Sequence, residues 1–337
     1  MSRCHKVCLT VAAVIVVLLP VGLLLGSVSL SVADVWNSFF LPNDALEHFI
    51  VLETRLPALV TAILAGAALA TAGLMMQTSF SNPLAGPSIM GISTGSSLGV
   101  ALVMMLFGGI AGTLGRFAIV GGAFIGASAV LFVLLFFSSF VRNSDALLII
   151  GILIGYLSSS AISLLNYFSA SESVHSFVLW GLGSFNNVDA GSLPLFVALC
   201  LGLLFVSVLY AKSLNVLLFG TTYAESAGMS VKKARSGILL VAGALTALVT
   251  AYCGPIGFIG LIVPHVSRML TGTSNHIGLM PANMLVGALT GLLCQMISVA
   301  PSLSYGGMLP VNAITPVLGV PVILYVILNR RKILYFN

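Results

Sequence analysis

Long apolar runs separated by short polar segments dominate the pattern of this chain. A helix needs about 20 mostly apolar residues to cross a bilayer, and ten runs suited to that task lie between charges and Pro or Gly breaks. They cover residues 7–28, 56–77, 88–107, 117–140, 146–168, 192–212, 234–252, 254–270, 281–300 and 312–329. The pattern therefore predicts an all-α, polytopic membrane protein with ten transmembrane helices in a single domain over residues 1–337.

The run 254–270 is rich in helix-breaking residues, among them Gly254, Pro255, Gly260 and Pro264. Irregular backbone at membrane depth is tolerated only where protein or a water-filled cavity satisfies its polar groups. We therefore expect this run to be broken or tilted and to face the interior of the bundle.

The composition supports a membrane protein, since 59% of the 337 residues are hydrophobic and 6% are charged. A soluble domain carries about 25% charged residues. The mean hydropathy of +1.15 points the same way. A soluble enzyme, a nucleic-acid-binding protein and a disordered chain are therefore excluded, and membrane lipid is the expected surrounding.

The distribution of Lys and Arg predicts which side of the membrane each loop occupies. With ten helices and both termini in the cytoplasm, 11 of the 13 basic residues lie on the cytoplasmic side, and only Arg55 and Arg116 lie outside. Six of the eight acidic residues lie outside. Because this bias follows the positive-inside rule, it favours an even number of crossings. The first run is longer than a signal-peptide core of about 7–15 residues, so we interpret it as a retained helix.

The sequence contains little that could support catalysis. No ionisable side chain lies in the middle of a predicted span, which argues against a proton relay. The five cysteines form no zinc-binding pattern, and there is no G-x-x-x-x-G-K-[ST] phosphate-binding loop. We therefore expect no cofactor in this chain and no enzymatic activity. If ATP drives the protein, a separate subunit must hydrolyse it.

Three polar features could serve a transport function. The cytoplasmic loop 213–233 contains the segment 220–231, which can form a short helix with Thr221 or Thr222 as N-cap; an ordinary connector is the alternative. Polar residues on the fifth span could line a pathway or bond neighbouring helices, and they are Ser158, Ser159, Ser160, Ser163 and Asn166. His265 is more often hydrogen-bonded within a fold than a ligand at such a position.

Four separated segments carry a family resemblance. They are Arg55-Leu-Pro57, Gln77-x4-Asn82-Pro-Leu-Ala-Gly-Pro87, Gly220-x3-Ala224-x3-Gly228, and Gly254-Pro-Ile-Gly-Phe-Ile-Gly-Leu-Ile-Val-Pro-His265 with Arg268. In this order they resemble the permeases of ATP-binding-cassette (ABC) importers for iron–siderophores, haem and cobalamin, the FecCD group. The resemblance extends from about residue 10 to residue 330.

This resemblance implies a ten-helix permease of the bacterial cytoplasmic (inner) membrane that works as a homodimer or as a pair of related permeases. Two ATPase subunits, where ATP and Mg act, would bind inside, and a periplasmic or lipid-anchored substrate-binding protein would dock outside. The resemblance assigns the cytoplasmic gate to Asn82, Leu84, Asn143 and Ser144, the ATPase coupling to Gly220, Ala224, Glu225 and Gly228, the docking of the binding protein to Arg55, and the family signature to Gly254, Pro255, Gly260, Pro264, His265 and Arg268.

The sequence also departs from the family pattern at its outside positions. The usual second Arg of R-L-P-R is Ala58, and the ninth span ends without the usual Asp and Arg. These changes leave fewer charges for salt bridges to a binding protein. The expected cargo is a ferric siderophore or haem. Alternatives are a cobalamin importer of the same family, an ion-coupled secondary transporter, or a structural or receptor-like subunit that moves nothing.

Overall fold

The computed structural model describes residues 3–40, 46–106, 112–141, 144–302 and 307–328. Within these ranges the chain forms helices and turns, and no strand. The α-helices are α1 (Arg3–Leu24), α2 (Val32–Ser38), α3 (Leu46–His48), α4 (Leu56–Ser79), α5 (Ile92–Leu106), α6 (Gly112–Phe140), α7 (Ser144–Phe168), α8 (Ser171–Gly181), α9 (Leu193–Leu209), α10 (Ala211–Leu217), α11 (Thr221–Ser226), α12 (Val231–Cys253), α13 (Ile259–Thr271), α14 (His276–Val299) and α15 (Val311–Leu328). A π-helix spans Phe49–Arg55, and a 3-10 turn spans Phe185–Asn187.

Six helical stretches of the described chain are long and apolar enough to cross a membrane. They are Arg3–Leu24, Leu46–Ser79, Phe117–Ser138, Ala146–Phe168, Val231–Cys253 and His276–Val299. α9 and α10 form a seventh if the bend of 47° between them lies within one span. Shorter apolar stretches lie at Ile92–Leu106, Ile259–Thr271 and Val311–Tyr325. The chain is therefore a helical protein with six or seven candidate spans, and the count of ten crossings stays a prediction.

Several helices begin at positions different from those the apolar pattern indicates, and two of these differences have a clear local cause. The run 254–270 is helical only from Ile259, because Gly254 (φ +77°) and Phe258 (φ +66°) adopt left-handed backbone conformations before it. α14 begins at His276, five residues before the predicted run, because the Asn275 side chain accepts a hydrogen bond from the Ile277 amide at 3.0 Å and caps the helix. Polar residues therefore extend this helix beyond its apolar run.

α4 lies at the centre of the bundle and packs against α9, α12, α13 and α14. Its Gly66 meets the main chain of Gly287 and Gly291 so closely that a Cβ atom at Gly66 would collide with it. Gly99 of α5 meets the backbone of Gly122 on α6 in the same way. Glycines at four-residue spacing thus bring helix backbones into contact, the form of packing that helices use in lipid.

The loops of the described chain gather at two ends of the bundle. At one end, Arg3 donates to the carbonyl of Leu270, and Asn215 bonds the start of α14. This end also carries α11, and we call it the α11 end. At the other, the Arg55 end, Arg55 donates to the carbonyl of Leu23. Segments that the Lys and Arg pattern places on one side of a membrane therefore meet at one end of the fold.

Candidate functional site

The last turn of α4 explains why the helix stops before Asn82. The Asn82 amide donates to the Gln77 carbonyl at 3.1 Å, and the Ser81 amide donates to the Thr78 carbonyl at 3.2 Å. These two bonds form a Schellman ending, with Ser81 at φ +48° in the position that glycine usually takes. Pro83 follows and cannot continue a helix. The chain therefore leaves α4 through a defined turn at residues 80–91.

Two of the predicted gate residues lie in this turn. The Asn82 side-chain oxygen accepts a hydrogen bond from the Leu84 amide at 2.9 Å, which closes a local Asx turn. The Leu84 side chain is 46% exposed, so this turn presents an apolar group at the surface. Asn143 lies outside the described residues, and Ser144 is placed as the first residue of α7.

His265 fixes the turn from α13. Its Nε2 lies 2.9 Å from the Pro83 carbonyl oxygen, and the side chain is 2% exposed. Because a carbonyl can only accept, Nε2 carries the proton of this bond. A residue of the predicted signature therefore holds Pro83, which lies between the predicted gate residues Asn82 and Leu84, across 182 positions of sequence.

A second set of bonds joins the signature to the end of α4. The Gln77 amide nitrogen donates to the Leu261 carbonyl at 3.0 Å, and its oxygen accepts from Arg268 Nη1 at 3.0 Å. Gln77 and Arg268 are both buried. A planar amide that accepts from a guanidinium and donates to a helix carbonyl fixes the two helices in register.

Gly260 and Pro264 of the signature bring α13 against α4. Pro264 has no N–H group, so the Gly260 carbonyl lacks its usual donor four residues on. That carbonyl faces Gly73 of α4, where a Cβ atom would collide with it. Gly254 lies further from the gate; its φ of +77° and the nearby Trp180 carbonyl leave room only for glycine. The signature therefore serves mainly to seat one end of α13.

The predicted coupling residues form the exposed helix α11. Gly220 (φ +92°) precedes it and Gly228 (φ +82°) follows it, and both conformations favour glycine. Gly220 itself occupies the N-cap without a side-chain bond, so the predicted Thr N-cap was wrong. Ala224 is fully buried and anchors the helix, while Glu225 is exposed. One small residue thus fixes a helix whose other side chains face outward.

Arg55 lies in a different environment from the one its predicted docking role suggests. Its guanidinium donates to the Leu23 carbonyl at 2.7 Å and to the Val28 carbonyl at 2.5 Å. The side chain is 9% exposed. These contacts join the end of α1 to the start of α4, and docking through Arg55 stays a prediction.

The polar band on α7 mostly faces away from the rest of the chain. Ser158 is buried, whereas Ser159, Ser160 and Ser163 are exposed. Tyr156 and Tyr167 extend the exposed hydroxyl face along the helix at helical spacing. Most of these hydroxyls therefore do not pack against neighbouring helices of the same chain, which was one of the two interpretations of this band.

A cavity of 770 Å³ opens between α6, α8, α9 and α12, toward the Arg55 end. Aromatic side chains of Phe117, Trp180 and Tyr252 line it together with Asn186 and Asp189. None of the residues that the sequence analysis selected lies on its wall. Within the described ranges, no group of three His, Cys, Asp or Glu side chains is arranged to hold a metal ion.

The turn at residues 80–91, which contains the predicted gate residues Asn82 and Leu84, is called the gate turn. Sequence reasoning missed three residues beside it. His276 Nε2 lies 2.9 Å from Thr78 Oγ1, and His276 Nδ1 lies 3.0 Å from Asn215 Oδ1. The apolar pattern left His276 in a loop, and Asn215 lay inside the broad segment 213–233. The available signal was weak: Thr78 and Asn215 are polar residues just after predicted runs, and His276 lies five residues before one.

An all-helical bundle with a small exposed helix at one end, and with no phosphate-binding loop in its sequence, has the architecture of a transporter's membrane subunit. Residues 13–329 match the model of the FecCD transport family. The chain therefore belongs to that family, and the resemblance drawn from the four motifs is confirmed.

Individual relatives agree with this assignment. The chain is 36% identical over 309 residues to the hemin transport system permease protein HmuU of Yersinia pestis, covering 91% of each. It is 34% identical over 288 residues to the vitamin B12 import system permease protein BtuC of Klebsiella pneumoniae, covering 86% of this chain and 85% of that one. A solved inward-facing metal-chelate type ABC transporter superposes with a TM-score of 0.83 at 28% identity, covering 97% of this chain and 99% of that chain.

Proposed function

We propose that this chain is the membrane permease of an ABC importer in the bacterial cytoplasmic (inner) membrane, and that it crosses the membrane ten times. Six long apolar stretches, the bent pair α9–α10 and three shorter apolar helices supply ten spans. Lys212, Lys232 and Lys233 are exposed at the α11 end. Under the positive-inside rule this end, with both termini, faces the cytoplasm.

The exposed helix α11 is the observation that carries the proposal. It protrudes at the end with most basic residues, is framed by two left-handed glycines, and is anchored by buried Ala224. A short, fixed, outward-facing helix is a surface on which a separate ATPase subunit can push. Two such subunits, which would hold ATP and Mg, are proposed partners; this chain itself is proposed to need no cofactor.

A second copy of the chain is the proposed partner at α7. A hydroxyl group that faces lipid can bond only to its own helix, as Ser163 does to the Ser159 carbonyl at 3.0 Å. A face of exposed serines and tyrosines on a spanning helix therefore favours a protein interface or a water-filled path. A homodimer with the α7 faces toward each other would enclose a pathway lined by hydroxyl and apolar groups. ATP binding would move the α11 helices, and the turns at 80–91 would then open or close the inner end.

The proposed cargo is a bulky metal chelate, a ferric siderophore or haem, with cobalamin as the alternative within the family. The relatives named for hemin and vitamin B12 support both. A binding protein at the Arg55 end would select the cargo, because the α7 face offers few discriminating groups. Binding of labelled ferric chelate, hemin and cobalamin to that binding protein distinguishes these cargoes.

The proposal is tested in proteoliposomes that contain the permease, its ATPase and its binding protein. Glu225→Gln should preserve assembly but lower the uptake per ATP hydrolysed, because Glu225 lies on the exposed face of α11. The matched control is Glu172→Gln, an exposed glutamate on α8. Equal uptake by both variants contradicts the coupling role.

The same proteoliposomes distinguish the two alternative functions. Uptake that survives an inactive ATPase and stops with an ionophore indicates an ion-coupled carrier instead, and assembly without any uptake indicates a structural subunit.

A further inference from the structure

A series of hydrogen bonds joins three helices at the α11 end. Asn215 on α10 bonds His276 at the start of α14, and His276 bonds Thr78 in the last turn of α4. Building on the proposed function, we infer that Asn215, His276 and Thr78 are positioning residues that pass the displacement of α11 to the gate turn at 80–91.

The first link fixes how His276 is protonated. Asn215 Oδ1 accepts from the His276 main-chain amide at 2.7 Å, and Asn215 Nδ2 donates to Asn275 Oδ1 at 2.9 Å. The oxygen and nitrogen of the Asn215 amide are thereby assigned. His276 Nδ1, at 3.0 Å from the same oxygen, must therefore donate and carry a proton. One amide thus holds both the ring and the backbone of His276.

The second link gives Thr78 a choice between two acceptors. In a neutral ring protonated at Nδ1, Nε2 is an acceptor, so the Thr78 hydroxyl donates to it at 2.9 Å. The same hydroxyl lies 3.0 Å from the Leu74 carbonyl within α4. One hydroxyl proton cannot fully serve both acceptors. If α14 withdraws, the hydroxyl turns to Leu74, and no buried donor is left unsatisfied.

Each end of this series of hydrogen bonds adjoins an element of the proposed mechanism. Three residues separate α10 from α11, and the Gly220 amide donates to the Leu217 carbonyl at 3.0 Å across them. A push on α11 is therefore transmitted to α10 and to Asn215. At the far end, the Thr78 carbonyl accepts the Ser81 amide in the turn that leads to Asn82. A shift of Thr78 therefore moves the start of the gate turn.

Thr71 provides a matched control for Thr78 on the same helix. It is buried, and its hydroxyl donates to the Ala67 carbonyl at 2.8 Å, the carbonyl equivalent to that of Leu74, which lies 3.0 Å from the Thr78 hydroxyl. Among the residues that the structure describes, no other helix bonds to the Thr71 hydroxyl. Thr71→Val and Thr78→Val therefore remove the same group from similar surroundings, and only Thr78→Val breaks the link to His276.

The experiment measures uptake per ATP hydrolysed in the complete transporter. Thr78→Val should lower this ratio at least fivefold while ATP hydrolysis stays within twofold of the wild type. Thr78→Ser, which retains the hydroxyl, should restore the ratio, and Thr71→Val should leave it unchanged. His276→Asn and Asn215→Leu should lower it as Thr78→Val does, and Thr78→Val combined with His276→Asn should add no further loss.

Several results would overturn the inference. One is an equal uptake per ATP hydrolysed in the Thr78→Val and Thr71→Val proteins. Another is a loss in the combined Thr78→Val and His276→Asn variant that equals the sum of the two single losses. If Thr78→Val does not assemble, the His276→Asn variant provides the test. A wild-type uptake per ATP hydrolysed in His276→Asn contradicts a role for these hydrogen bonds. The Glu225→Gln variant separates this inference from the proposed function. If Glu225→Gln lowers the uptake per ATP hydrolysed while Thr78→Val and His276→Asn do not, the inference is wrong and the proposed function is still supported.

Discussion

His265 on α13 and Pro83 in the gate turn are joined by a hydrogen bond of 2.9 Å from the imidazole Nε2 to a main-chain carbonyl. Local bonds beside Leu84 restrain only the backbone of the turn: the Leu84 amide donates to Asn82 Oδ1 at 2.9 Å, and the Ala85 amide donates to the Asn82 carbonyl at 3.1 Å. The orientation of the exposed Leu84 therefore depends on a buried contact with another helix. If this turn serves as the proposed gate, a change that does not touch Leu84 can loosen it.

His265→Ala should loosen the turn and lower uptake, because it removes a hydrogen bond that contributes about 0.5 to 1.5 kcal/mol. His265→Gln should recover part of the loss, since its amide N–H can reach the Pro83 carbonyl. The loosening of the turn is measured as an increased leakage of chelate from loaded proteoliposomes in the absence of ATP. His175→Ala, a change at an exposed histidine of α8, is the control. Equal leakage from the His265→Ala and His175→Ala proteins would show that the contact does not restrain the gate.

Gly228→Ala should disturb α11 through its backbone alone. No neighbouring atom lies within 4 Å of an added Cβ, but the φ of +82° opposes an L side chain by about 1 to 2 kcal/mol. The expected outcome is an assembled transporter that hydrolyses ATP with reduced uptake. Gly202→Ala, where space is also open and no positive φ occurs, should behave as the wild type. Full uptake by Gly228→Ala would contradict a role for α11 geometry in coupling.

The helices could be predicted because a membrane imposes long apolar runs on any spanning segment. The gate turn was also visible, since Asn82-Pro83 marks a helix end in any context. The hydrogen bonds that join the gate turn and the end of α4 to other helices could not be predicted. The bonds His265–Pro83 and His276–Thr78 join positions 182 and 198 residues apart, and no local pattern encodes such pairs. The π-helix that ends at Arg55 was also missed, because the polar residues Glu53, Thr54 and Arg55 interrupt the apolar pattern although the helix continues directly into α4.

Gly73→Ala should prevent α13 from seating on α4. An added Cβ would collide with the Gly260 carbonyl, which is main chain and cannot rotate away. Overpacking of this kind costs about 1 to 3 kcal/mol or more. Size-exclusion chromatography in detergent should show a smaller folded fraction. Gly121→Ala on α6, with nothing within 4 Å of its Cβ, should give the wild-type profile. Identical profiles for Gly73→Ala and Gly121→Ala would show that α4 and α13 can move apart without a loss of folded protein.

Arg55 offers a direct comparison between a structural role and the docking role predicted from its sequence motif. Its guanidinium donates to the carbonyls of Leu23 and Val28, where α1 ends. Hydrogen bonds from a charged group contribute about 1.5 to 3 kcal/mol each. Arg55→Met should therefore lower the thermal unfolding temperature of the purified permease. Arg55→Lys, which keeps the charge but lacks the planar fork, should lie between Arg55→Met and the wild type.

The binding protein supplies the second measurement on the same variants. If Arg55 serves the α1–α4 junction, the folded fraction of Arg55→Met should bind it with wild-type affinity, because the 9% exposed side chain offers little to a partner. If Arg55 is a docking residue, the affinity should fall and the unfolding temperature should stay unchanged, and the loss should shrink as salt screens the charge. Titration of the binding protein at low and high salt, beside a thermal melt, therefore separates the two roles.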